Sequence, residues 1–118
     1  MSKNRNKEST RYYSEKHEDS VAKALGGTRQ PNSGAAKFSA GDVVTERFLI
    51  ECKTPMSEKD SFSIKKEWVT KNREEKFQVR KDFSAISFKF SPEGENLYII
   101  SESLMRALVS YLEEREVD

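Results

Sequence analysis

Apolar residues come in short runs set among long charged stretches, and the period of each run predicts its element. Val21, Ala22 and Leu25 recur at helical spacing just before Gly26-Gly27. A helix over 14–25 is therefore expected, N-capped by Ser14 and stopped by glycine. Glu18 falls on the same stripe, and a carboxylate facing the core needs a partner. His17 lies off the stripe and reads as a surface residue. Val43-Val44-Thr45 and Phe48-Leu49-Ile50, separated by Glu46-Arg47, read as two adjacent antiparallel strands. Ile64, Trp68, Val69 and Phe77 predict a charge-rich helix over 64–79 with Ser63 at its N-cap and Trp68 as a core anchor rather than a base-stacking platform. Alternation over 83–90, turn residues at 91–96 and a return strand over 97–100 predict a second hairpin. Ser101 then caps a last helix to about Glu114, with Leu104, Leu108, Tyr111 and Leu112 on one stripe. Residues 28–40 read as a loop with a short strand around Lys37-Phe38. Residues 1–13 carry Lys3, Arg5, Lys7 and Arg11 without periodicity and read as a flexible basic tail. The order helix, hairpin, helix, hairpin, helix, with no internal repeat, predicts one α/β domain over 14–118.

Composition narrows the function classes. A chain of 118 residues with 35% hydrophobic content and a mean hydropathy of −0.83 has a lean core, which one Trp, four Tyr and seven Phe can still fill. So small a core favours association into an oligomer. The formal net charge of +1 means that any nucleic-acid surface must come from segregated charge. A single cysteine excludes an internal disulfide framework and a cysteine-rich zinc site. Nothing resembles a membrane span or a signal peptide, so a cytoplasmic protein with no membrane partner is expected.

The candidate chemistry lies in residues 41–54, GDVVTERFLIECKT. Strand alternation sends Leu49, Glu51 and Lys53 to one side and Phe48, Ile50 and Cys52 to the other, the side that suits a core. A hairpin can bring Asp42, at the start of its first strand, near Glu51 and Lys53, at the end of its second. Two carboxylates at one spot suit Mg²⁺, and a neighbouring lysine could orient or deprotonate water for phosphodiester hydrolysis. The competing reading is a solvated strand end, because the acid–x–lysine pattern recurs at Glu74-Glu75-Lys76 in a predicted helix. Cys52 reads as a small core hydrophobe. Arg29, Ser33 and Lys37 are candidate phosphate contacts, with a plain surface loop as the alternative.

Glu18 in a first helix, Arg29 and Ser33 in a loop, Gly41-Asp42, and then Glu51-Cys52-Lys53 ahead of a helix and a strand pair resemble the PD-(D/E)xK nuclease superfamily. More narrowly they resemble archaeal-type Holliday junction resolvases and their phage-encoded relatives, over roughly residues 15–112. The resemblance implies a restriction-endonuclease-like fold, a central mixed β-sheet flanked by helices. It implies Mg²⁺, with Mn²⁺ as a substitute, held by Asp42, Glu51 and the backbone carbonyl of Cys52, with Glu18 completing the acidic cluster. Lys53 would handle the attacking water, and Ser33 would reach the scissile phosphate. The implied function is a homodimeric endonuclease that nicks four-way DNA junctions symmetrically. Gly41 stands where the motif has proline. Alternatives are another structure-specific DNA nuclease, acting on flaps, nicks or replication-repair intermediates, and a catalytically inert nucleic-acid-binding module.

Overall fold

The structure is a computed structural model that describes residues 2–30 and 42–117, with side chains described at 11–30 and 42–114. The expected strand at Lys37-Phe38 and the positions of Ser33, Lys37 and Gly41 lie outside the described residues. Helix α1 (Ser2–Leu25) leads into strands β1 (Thr28–Arg29), β2 (Asp42–Val44) and β3 (Phe48–Lys53). Helix α2 (Lys66–Gln78), strands β4 (Phe83–Phe88) and β5 (Leu97–Ile99) and helix α3 (Glu102–Val117) follow. The strands form one mixed sheet in the order β1-β2-β3-β4-β5, in which, among the described residues, only the β3–β4 pair is parallel. The expected α/β domain with a mixed sheet flanked by helices is therefore present. Among the described residues no helix is long and apolar enough to cross a membrane.

The parallel pair explains the layering. Two parallel neighbours require a crossover, and α2 supplies it, packing on one face of β3 and β4. Helix α1 covers the opposite face, where Val21 packs on Val43, Ile50 and Ala85, with Phe48 and Cys52 alongside. Leu49 is therefore as fully buried as Ile50. Alternation assigned the side chains of β3 to faces as expected, but both faces are covered, as is usual for a strand beside a parallel neighbour.

Several boundaries differ from expectation. Helix α1 starts at Ser2, so the segment expected as a tail is helical and Ser14 lies inside the helix. Its buried stripe runs through His17 and Val21, an i, i+4 pair, which leaves Leu25 exposed at the edge. His17, expected at the surface, is completely buried. Helix α2 begins after Lys65, which makes no side-chain cap, so Ser63 and Ile64 precede it. Phe62, packed against Phe88 and Trp68, holds the approach to α2 on the sheet. Ser101 does cap α3, its hydroxyl accepting from the Leu104 N–H at 3.2 Å. Of the expected α3 stripe, however, only Leu104 is buried, and Leu108, Tyr111 and Leu112 are exposed.

Two helices end alike with different residues. After α1, the Gly27 N–H reaches back to the Ala22 carbonyl at 2.8 Å, with Gly26 at φ +68°. A side chain on Gly27 would meet the Val44 carbonyl at 2.6 Å, so the first glycine allows the turn and the second allows α1 to close onto β2. After α2, the Lys81 N–H reaches the Lys76 carbonyl at 3.0 Å and the Arg80 N–H reaches the Phe77 carbonyl at 3.2 Å. These bonds form a Schellman ending with Arg80, at φ 58°, in the left-handed position that costs a side-chain-bearing residue about 1–2 kcal/mol. Arg80→Gly is expected to raise unfolding free energy in urea by about 1 kcal/mol. Gly27→Ala should lower it by about 1–3 kcal/mol.

Candidate active site

The register of the hairpin brings the first two candidate residues together. Asp42 lies directly opposite Glu51, as Val43 does Ile50 and Val44 does Leu49. The Asp42 carbonyl accepts from the Gln30 N–H at 3.0 Å, so the peptide groups of Asp42 face β1. Asp42 and Glu51 are thus the non-hydrogen-bonded kind of antiparallel pair, in which Cα atoms approach to roughly 4.5 Å and side chains lie closest. Both side chains are on the α2 face, with Asp42 wholly buried and the Glu51 side chain 14% exposed. The same alternation turns the Cys52 carbonyl toward the β2 side, past Asp42, the first residue of that strand.

Lys53, two residues further along the same face, places Nζ 3.1 Å from Glu51 Oε2. The other carboxylate oxygen, Glu51 Oε1, is buried without a hydrogen-bond partner among the described residues. Glu51 and Lys53 form one wall of a cleft of about 830 Å³, and the first turns of α2, including Lys66, Trp68 and Lys71, form the other. The Lys53 ammonium lies 4.3 Å from the centre of the Trp68 ring. Trp68 was expected as a core anchor rather than a base-stacking platform, and contact with Lys53 was not foreseen. The signal for its second role is the crossover itself, which returns the start of α2 to the end of β3.

Glu18 and Arg29 come from the other side of the sheet. Arg29 places Nε 3.8 Å from Glu18 Oε1 and Nη1 3.3 Å from Asp19 Oδ1, so its charge is engaged with α1. That pair supplies the partner the stripe position of Glu18 demanded. Burial lifts the Glu18 carboxyl above the usual carboxylate range; Arg29 opposes this, and Glu15 and Asp19 add to it. Cys52 faces α1 between the two groups. Burial pushes its thiol far up, and the Glu18, Asp42 and Glu51 carboxylates push it further, against an opposing effect of Lys89. Cys52 is therefore a neutral thiol, as expected of a core hydrophobe. No group of three or more His, Cys, Asp or Glu side chains able to hold a metal forms among the described residues. Asp42 is paired with Glu51 across the strands, and Glu18, paired with Arg29 on the α1 side, acts on the Cys52 thiol together with them.

Sequence reasoning also missed a polar lock beneath α1. One nitrogen of the buried His17, Nδ1, lies 2.8 Å from Thr54 Oγ1, and the other, Nε2, lies 2.9 Å from Ser87 Oγ. Ser87 is the register partner of Cys52. One imidazole therefore ties α1 to the end of β3 and to β4, just behind the acidic pair. Burial, with the nearby Lys89 charge, lowers the His17 pKa to about 4. With no exposed face, this serine–histidine pair is a tether rather than a nucleophile and base. No family model, curated protein or solved structure matches the chain.

Protonating His17 is easier in the unfolded chain, near pH 6.5, than in the folded one, near pH 4. Stability is complete above pH 6.5 and is lost as pH falls from 6.5 to 4, by roughly 3 kcal/mol in all. Urea melts across that range should show this slope, and His17→Gln should remove it while carboxylate titration, common to both proteins, remains.

Proposed function

We propose that this chain is a Mg²⁺-dependent DNA endonuclease of the PD-(D/E)xK type, with a four-way junction as its substrate. The observation that carries the reading is the direct pairing of Asp42 with Glu51 across β2 and β3, with Lys53 Nζ 3.1 Å from Glu51 on the wall of an open cleft. A solvated strand end would leave Glu51 and Lys53 in water. Here the Glu51 carboxylate is largely covered, and one of its oxygens has no hydrogen-bond partner among the described residues.

The donors fit the ion. Mg²⁺ takes hard oxygen ligands, is commonly held by one or two carboxylates and keeps several waters. Asp42 and Glu51 would hold it, together with the backbone carbonyl of Cys52. When bound, the cation supplies Lewis-acid stabilisation of the charge that develops on the scissile phosphate. Lys53 orients the attacking water and moves its proton at Nζ. Lys66 and Lys71, across the cleft, attract the phosphate backbone, and Glu67 and Glu74 on the same helix limit that attraction. The fold of this reading is the restriction-endonuclease-like one. It is supported by the mixed sheet, the α2 crossover and the site's place at the end of the central strands.

The same reading includes a two-fold dimer, which would present two equal sites to a junction of matching symmetry. The exposed Met105, Leu108, Tyr111 and Leu112 of α3 support it, since they offer apolar surface on a helix that does not line the cleft.

Asp42→Asn is expected to abolish nicking of a labelled immobile junction in Mg²⁺ while largely preserving binding, because it removes a ligand and no phosphate contact. Lys53→Ala should slow turnover by about 10²–10⁴-fold, the worth of a lost acid–base group. Undiminished cleavage by either variant would refute the site. Competition between the junction and linear duplex of the same sequence tests the substrate, and light scattering tests the dimer. A monomer that cuts both DNAs equally would remove the resolvase reading and leave the nuclease.

A further inference from the structure

We propose that Trp68 is a positioning residue for Lys53, holding its ammonium against Glu51 through the face of the indole ring. The inference rests on the nuclease reading for what Lys53 does, and on geometry alone for how Lys53 is held.

A lysine at a strand end has four rotatable carbons and a strongly hydrated head, and left to itself it samples many directions. Lys53 is the last residue of β3, and its side chain is 27% exposed. Two groups restrain it. Glu51 Oε2 lies 3.1 Å from Nζ, and the Trp68 ring centre lies 4.3 Å from it. The second distance is well inside the roughly 6 Å within which a cation is attracted to an aromatic face. One carboxylate fixes how far the ammonium sits from the acidic pair; the ring, reaching in from α2, fixes the direction of approach.

The ring is itself held. Phe62 lies 6.4 Å from Trp68 and 5.3 Å from Phe88, centre to centre, and Phe88 is the register partner of Lys53 on β4. A chain of three rings thus runs from the sheet beside Lys53 to the indole above it. This arrangement decides between two uses of an aromatic residue in a cleft. A platform for stacking an unpaired base needs a free face, and the ammonium of Lys53 at 4.3 Å, with that of Lys65 at 5.8 Å, competes for the ring. The shorter contact assigns the ring to Lys53.

The test uses the full chain. In proton NMR spectra the Lys53 ε-methylene signal should lie upfield of the ordinary lysine position through the ring current. It should return there in Trp68→Leu and keep part of the shift in Trp68→Phe. In junction nicking with Mg²⁺, Trp68→Leu should lower the maximal rate by about threefold to thirtyfold at an unchanged half-saturating DNA concentration, and Trp68→Phe should recover part of that loss. Lys53→Met combined with Trp68→Leu should be no slower than Lys53→Met alone, because both remove the same contact. Losses that multiply, or a Lys53 signal that Trp68→Leu does not move, would overturn the proposal. If Trp68→Leu does not fold, Trp68→Phe and the emission of the chain's only tryptophan decide: emission should change in Lys53→Met, and identical spectra would overturn the contact. The spectroscopic arms need no turnover. A chain that cuts no DNA but shows the shift keeps the contact and loses the nuclease reading; one that cuts normally with an unshifted Lys53 loses the contact alone.

Discussion

The register between β2 and β3 is the constraint on which the rest of the site depends. Side chains alternate along a strand, so a slip of one residue would turn every side chain of β2 to the other face and take Asp42 away from Glu51. The register is held from both faces at once. Val43, Ile50 and Ala85 are locked under Val21 on one side, and Leu49 is wholly buried on the other. The apolar residues therefore fix the position of the charged ones. Burial of the middle of β3 brings its last three residues to the end of the sheet in a single arrangement.

The two helices act on that arrangement in opposite ways. Helix α2 contributes the cleft wall and the indole that meets Lys53. Helix α1 contributes Glu18, already paired with Arg29, and the His17 link to Thr54 and Ser87. That link is neutral over most of the pH range, so it fastens the helix without adding charge behind two carboxylates.

The hairpin and the pairing of Asp42 with Glu51 were legible because they follow from local signals: a period of two for the strands, and a polar step for the reversal. What escaped depended on partners far along the chain. His17 looked like a surface residue because an eight-residue stripe with few apolar members has an ambiguous centre, and only Thr54 and Ser87 reveal which side is inside. Trp68 looked like core because nothing local announces that its ring will meet Lys53. The start of α1 was missed because polar residues without an apolar period give no helical signal even where they are helical. Glu18 was read correctly as needing a partner, but the sequence left open whether that would be a metal or a base, and Arg29 supplies it.

The strand order in space equals the strand order in the chain. Each strand finds its neighbour in the one just before it, and the longest connection between paired strands is the α2 crossover. Such a topology keeps contacting residues close in sequence, which lowers the loop-closure entropy paid before pairing and speeds folding. It also lets the sheet grow by accretion from its first edge as the chain leaves the ribosome, with the Asp42–Glu51 hairpin able to form before the crossover and β4 have been made.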